Sequence, residues 1–245
     1  MTKKEPKAQD WEEYINETQT IEDSGWVRGF AKMMRRLPKR LGTILEVGCS
    51  GGRWIQWYKK RHTVTNAHGI DIYDITKIHG KGTSKKEQHA FIFKKGDART
   101  LPYKNNAFDF VYSLGLVEHF KDKADVKKII QEQARVLKQG GYIVTTFPTL
   151  NIDSLGYWRM KLIEDKKHDY KHYNTTIPQL RTLYEKNNLE VLDAQYLGWF
   201  FEPHGIPKFT TARQFSQIAC IIGRKKYKKT SKKNANKKKT ITGKS

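Results

Sequence analysis

Five short apolar runs, separated by polar or helix-patterned stretches, constrain this chain more than any other feature. They are Thr43–Val47, Ala67–Ile72, Ala90–Phe93, Phe108–Ser113 and Tyr142–Phe147. None alternates in and out as a half-buried strand does. Their length and continuity suit strands covered on both faces, as in a parallel sheet. Between the fourth and fifth runs lies a helix. Asp122 caps it, Val126, Ile129, Ile130, Gln133 and Leu137 recur on one face, and Gly140-Gly141 stops it. Another helix opens at Thr176-Ile177-Pro178-Gln179, which has capping-box spacing, and buries Leu180, Leu183 and Tyr184. Residues 189–199 and 214–223 read as two closing strands. This alternation predicts an α/β open sheet with helices on both faces and right-handed crossovers.

The flanks differ from this body. Trp11, Tyr14 and Ile15 share helical spacing, as do Trp26, Phe30, Met33 or Met34, and Leu37 before Pro38. Residues 1–40 are therefore expected to form an N-terminal helical extension, and 41–223 the main domain. From Arg224 to Ser245 there are eleven basic residues and no acidic one, so half of the +22 net charge sits there. Residues 224–245 are expected to be a disordered Lys-rich tail. The aromatic and apolar content of the body supports a globular fold with a sizeable core. No run approaches 18 apolar residues, so no membrane span is expected. The first ten residues are polar and lack the apolar core of a signal peptide. Two cysteines, Cys49 and Cys220, argue against a disulfide framework or a structural zinc site and for a reducing, cytoplasmic compartment.

Open parallel sheets bind ligands beyond the carboxyl ends of their strands. After the first run stands Glu46-Val47-Gly48-Cys49-Ser50-Gly51-Gly52-Arg53, where glycines let the backbone turn tightly and approach a ligand. After the second comes Gly69-Ile70-Asp71, a carboxylate about 20 residues past the glycines and placed to accept both hydroxyls of a ribose. Gly96-Asp97-Ala98-Arg99-Thr100-Leu101-Pro102 follows the third. Ser113-Leu114-Gly115-Leu116-Val117-Glu118-His119-Phe120 closes the fourth. Each is modest alone; their order and spacing together are specific.

With these segments, and with Arg135–Gly141, the chain resembles a class I S-adenosylmethionine-dependent methyltransferase of the small-molecule and quinone-type branch. The likeness is carried by residues 41–148 and extends loosely over 172–198. It implies a Rossmann-like seven-stranded, mostly parallel sheet whose last strand is antiparallel, and S-adenosyl-L-methionine as cofactor. Glu46, Gly48, Cys49 and Gly52 would shape the loop around its methionine part. Asp71, with Ile72 beside it, would hold the ribose. Asp97 would accept from the adenine amino group, with Ala98 offering a backbone N–H to the ring. Ser113 and Leu114 would line the sulfonium. Ser50 departs from the pattern, since related loops usually carry glycine there. Cys49 reads as a small packing residue rather than a nucleophile, and Cys220 lies on a core strand.

The acceptor side is less marked. His119, with Glu118, follows the fourth strand and is either a base for an oxygen or nitrogen acceptor or a structural histidine at a helix start. Trp158, His172 and Tyr173, in a region also holding Tyr157, His168 and Tyr170, either line the acceptor or form a solvent-facing connection. Trp199, Phe200, Phe201, Glu202 and His204 occupy the loop before the last strand. His62, His68, His79 and His89 lack metal-ligand spacing, so no metal is assigned.

A small-molecule acceptor is the leading expectation. An RNA or other polyanion acceptor, tethered through 224–245, is the alternative. An Asp/Asn-Pro-Pro motif would favour a base-amino acceptor, and Ser113-Leu114-Gly115-Leu116 stands in its place. A dinucleotide-dependent oxidoreductase would need Gly-x-Gly-x-x-Gly, and from Gly48 the chain offers Ser50 and Arg53 instead. A non-catalytic nucleic-acid-binding protein on the same fold would have no use for both Asp71 and Asp97. Oligomeric state is not legible.

Overall fold

A computed structural model describes residues 25–74, 91–148, 175–197 and 218–227. The elements run α1 (Gly25–Met34), β1 (Arg40–Val47), α2 (Arg53–Arg61), β2 (Thr63–Asp71), β3 (Ile92–Lys95), β4 (Phe108–Leu114), a 3-10 turn (Val117–His119), α3 (Lys123–Val136), β5 (Leu137–Pro148), α4 (Ile177–Lys186), β6 (Leu189–Leu197) and β7 (Ile218–Lys225). The strands form one seven-stranded sheet in the order β3-β2-β1-β4-β5-β7-β6. Neighbours from β3 to β5 pair in parallel, and β7 inserts antiparallel between β5 and β6. This is the Rossmann-like sheet with an antiparallel last strand that the sequence leads one to expect.

Helices cover both faces. On one, Val47, Ile70, Val111 and Ile143 of the sheet meet Val126, Ile130 and Ala134 of α3 and Leu180 and Tyr184 of α4. On the other, Ile44, Phe110, Val144 and Ile222 meet Phe30, Met33 and Met34 of α1 and Trp54, Ile55 and Tyr58 of α2. The central strands are thus buried on both sides, which is why their sequences lack alternation. Helix starts follow the local code. Asp122 accepts from the Ala124 N–H at 2.8 Å, and Thr176 and Gln179 form a reciprocal capping box.

One boundary differs from the sequence expectation. Helix α3 ends at Val136, and Leu137 is already extended and paired with Phe108. Gly140-Gly141 therefore lies inside β5 and does not stop the helix. The helix end needs no glycine because neighbours satisfy it. The Asn106 and Ala107 amides donate to the Arg135 and Val136 carbonyls at 3.0 and 2.7 Å. Lys225 Nζ donates to the Ala134 and Leu137 carbonyls at 2.7 and 2.6 Å. Gly141 is there for closeness instead, since a Cβ would stand 2.8 Å from the Asp109 carbonyl oxygen.

Helix α1 closes the second core. Phe30 is fully buried and sits at 5.2 Å from the Trp54 ring and 5.4 Å from the Trp57 ring, centroid to centroid. Residues 1–24 lie outside the described residues. β7 includes Arg224 and Lys225, the first two positions of the Lys-rich segment. Replacing Phe30 by Ala is expected to cost about 3–5 kcal/mol. That is a fall in melting temperature of roughly 10 °C for a chain of this size. Thermal unfolding followed by circular dichroism checks it, and an unchanged midpoint would show that α1 is dispensable to the core.

Candidate functional site

The strand order sets the carboxyl ends of β3, β2, β1 and β4 side by side, so the four segments singled out above meet at one end of the sheet. The loop after β1 is strapped to β2. The Gly48 and Cys49 amides donate to the Ile70 carbonyl at 2.9 and 3.1 Å, and the Ser50 amide donates to Asp71 Oδ2 at 2.9 Å. Gly48 needs its hydrogen twice over. Its φ is +74°, and a Cβ would stand 2.8 Å from Leu116 Cδ1. Ser50 adopts φ +43° despite its side chain. That conformation costs an L-residue about 1–2 kcal/mol, and the amide bond to Asp71 offsets it. The loop thus keeps its shape without the usual glycine. Cys49 is buried, and burial pushes its thiol well above the ordinary range, as suits a packing residue.

Glu46 is almost fully buried at the end of β1. Burial drives its carboxyl well above the usual carboxylate range, against a hydrogen bond from the Tyr112 hydroxyl at 3.2 Å and one from the Ile55 backbone. The Ile55 bond is structural. Helix α2 begins at Gly52, which supplies no side-chain cap. Glu46 reaches across from β1 and accepts from the helix's first turn, a bond its carbonyl oxygen can make while the carboxyl is neutral.

Asp71 ends β2. Its Oδ1 accepts from the Tyr73 amide at 3.1 Å and its Oδ2 from Ser50. The Ile72 amide bonds the carboxylate as well, so of its about four acceptor positions about one remains for a ligand. Burial raises its carboxyl, with the amide bonds pulling the other way. Next to it Ile72 is 56% exposed, an apolar surface of the kind a planar base covers. Together with the glycine loop, these residues fit an adenosyl group.

Asp97 is held differently. Arg99 grips it through Nε at 3.1 Å and Nη2 at 2.7 Å while the Arg99 amide donates to Oδ1 at 2.7 Å. Those bonds keep its carboxyl below the ordinary range. Arg99 also reaches Asp125 on α3 at 3.2 Å. Ala98 packs on the core beside it. The segment beyond is clamped by α3. Arg135 donates to the carbonyls of Leu101 and Tyr103 at 2.9 and 2.8 Å, and Glu132 accepts from the Leu101 amide at 2.8 Å.

Ser113, at the end of β4, is fully buried, and its hydroxyl has no hydrogen-bond partner among the described residues. Leu114 is half-buried. Glu118 is buried and His119 partly so, both on the 3-10 turn after β4, at the same end of the sheet. Trp158, His172, Tyr173 and the aromatic group from Trp199 to His204 lie outside the described residues. Sequence reasoning passed over Tyr112, Arg99 and the Glu132–Arg135 clamp. Arg99, Tyr112 and Arg135 stand in segments that the sequence singled out, without a role given to them, and Glu132 stands in none.

Comparison with known proteins agrees with this geometry. Residues 45–145 match the family described as methyltransferase domain. Ajmaline N-methyltransferase of Rauvolfia serpentina is 30% identical over 47% of this chain and 39% of its own length. The human protein named probable tRNA methyltransferase 9B is 24% identical over 66% of this chain and 30% of its own length. The chain therefore spans well under half the length of these curated relatives. In structure it is similar to a chain of the solved complex described as "Complex between the Haloferax volcanii Trm112 methyltransferase activator and the putative methyltransferase". The TM-score is 0.67 and the identity 16%, covering 91% of this chain and 99% of the other.

The environment of Glu46 has a pH consequence. A carboxyl raised in the native state contributes least to stability when ionised, so its contribution is lost as pH rises through its native value. Glu46→Gln keeps an acceptor and removes the ionisable group. It is expected to raise the urea midpoint at pH 8, with the gain shrinking toward the ordinary glutamate range near pH ~4.3. A loss of stability at pH 8 would mean that the charge itself anchors helix α2.

Proposed function

We propose that this chain is a class I S-adenosylmethionine-dependent methyltransferase that transfers a methyl group to a small-molecule acceptor by in-line displacement; the methyltransferase-domain match over residues 45–145 and the sheet topology support this reading. Bound S-adenosylmethionine supplies a methyl already activated on a sulfonium. The chain's work is then orientation and exclusion of water, which removes roughly 7–11 kcal/mol from such barriers.

Asp71 holds the ribose through the acceptor capacity that its amide donors leave. Asp97 accepts from the adenine amino group, with Arg99 setting the plane of its carboxylate, and the Ala98 amide serves the ring. Ile72 covers one face of the adenine. Gly48, Cys49 and Gly52 curve the loop around the methionine part, and Glu46 fixes that loop from beneath through α2. Ser113 and Leu114 border the reacting methyl. His119, next to Glu118 on the turn after β4, takes the proton from an acceptor that must lose one. Trp158, His172 and Tyr173 belong to the acceptor side.

The observation that carries this reading is the Asp71 carboxylate, bonded to the glycine loop and still open to a ligand. The names of the Rauvolfia relatives support a small-molecule acceptor. The name of the human relative and the basic excess of this chain support a second reading, an RNA acceptor. No helix among the described residues is long and apolar enough to cross a membrane. The two free, buried cysteines support the cytoplasmic compartment expected from the sequence.

Asp71→Ala is expected to weaken S-adenosylhomocysteine binding at least about tenfold, since hydrogen bonds to a charged group are worth about 1.5–3 kcal/mol. Isothermal titration calorimetry measures it, and unchanged affinity would overturn the site assignment. Incubation of cell extract with methyl-labelled cofactor should place label in the small-molecule fraction. Label confined to RNA would transfer the proposal to the second reading.

A further inference from the structure

The proposed reaction uses the carboxyl ends of the strands. The opposite end of the sheet has features of its own. Because β7 runs antiparallel, the chain leaves the sheet beside the amino ends of β1 and β4. A depression of about 300 Å3 opens there, with Arg40, Asp109, Lys138, Tyr142 and Tyr227 among its lining residues. Lys39, Arg40 and Lys226 are exposed at this end and form no ion pair among the described residues.

The acid in the depression is already engaged. Asp109 accepts from Lys138 Nζ at 2.9 and 3.0 Å and from the Thr43 amide at 2.9 Å. Cations commonly gather at helix C-termini to balance the helix dipole, and Lys59, Lys60 and Arg61 at the end of α2 are of that kind. Lys39, Arg40 and Lys226 are not. They stand at the ends of strands, whose net dipoles are small.

Tyr227 is 68% exposed and is the one aromatic among the exposed large hydrophobics of the described residues. Its phenol end lies over Gly140, where φ is +75° and an added Cβ would run into the ring. The ring is therefore seated at one end and open to solvent elsewhere. Eight lysines and no acid follow it in residues 228–245, which lie outside the described residues.

We propose that this face binds single-stranded RNA, with phosphates on Lys39, Arg40 and Lys226 and a base stacked on Tyr227. Arg40 and Tyr227 line the depression and Lys39 and Lys226 are their chain neighbours; positive charge beside an exposed aromatic ring is the combination that holds single strands without sequence preference. A membrane surface would call for a broad apolar face beside the charge, and here the surface is concave with one ring. From Arg40 to Val47 the sheet spans about 23 Å at ~3.3 Å per residue. A strand held here is anchored away from the methyl-transfer end, so the inference holds for either acceptor and does not rest on catalysis.

The test is fluorescence anisotropy with a labelled 20-nucleotide oligouridylate across a salt series, using the full chain. Neutralising Lys39, Arg40 and Lys226 to Gln with residues 228–245 intact should weaken binding at least tenfold. It should also flatten the log–log salt slope by about 2, at ~0.7 per phosphate for a single strand. Tyr227→Ala should weaken binding at least about fivefold with the slope unchanged, as expected for lost stacking. S-adenosylhomocysteine affinity should be unaltered in both, which shows that the fold and the other site are intact. If both variants bind like the parent while deletion of 228–245 abolishes binding, the tail acts alone and the proposal falls. It also falls if the oligonucleotide does not bind while phosphatidylserine vesicles do.

Discussion

The Asp71 carboxylate is the point on which the ligand-facing end of this sheet depends. It accepts from the Ser50 amide in the glycine loop and from the Tyr73 amide in its own turn. Its carbonyl accepts from Gly96 at 2.8 Å, tying in the end of β3. One residue thus joins three strand ends. The bond to Ser50 also holds a residue with a side chain in left-handed backbone. Without the carboxylate, a strained loop and a donating amide would both lose their partner. The glycine loop is consequently a set of backbone amides aimed by its neighbours as much as a flexible turn.

Three acids gather at this end, and their surroundings give each a different part. Glu46 is sealed in and turned toward Tyr112 and helix α2, so its work is to hold the loop. Asp71 is partly open and held by amides, which leaves acceptor capacity facing outward. Asp97 is gripped by Arg99 and kept fully ionised. Identical chemistry is divided by burial and donors alone. The Glu132–Arg135 pair on α3 then immobilises the stretch after Asp97. It does so through main-chain carbonyls and an amide, so it depends little on which side chains that stretch carries.

The two ends of the sheet have opposite chemical character, and one topological choice is responsible. All-parallel connection would bring the last strand out at the carboxyl ends. The antiparallel β7 brings it out at the amino ends, with Arg224, Lys225 and Lys226 in its wake. Lys225 is absorbed by the structure, capping the end of α3. Arg224 lies over the Tyr142 ring and bonds the Gly140 carbonyl. Lys226 remains at the surface beside Tyr227.

Much of this was legible along the chain. Continuous apolar runs such as Phe108–Ser113 mark strands covered on both faces, because burial on two sides leaves no polar register to read. Asp122 and Thr176 mark helix starts, because capping is local. The sequence by itself determined the class of sheet and the four segments that meet at its end. The end of α3 was not legible, because the groups that satisfy it come from Asn106, Ala107 and Lys225, far away in sequence. Nor was the turning of Glu46 toward α2, the grip of Arg99 on Asp97, or the meeting of Lys39, Arg40 and Tyr227 at one end. Those are contacts between side chains and backbone brought together by strand order. Only the tertiary structure decides them, because no local spacing encodes which strand ends become neighbours.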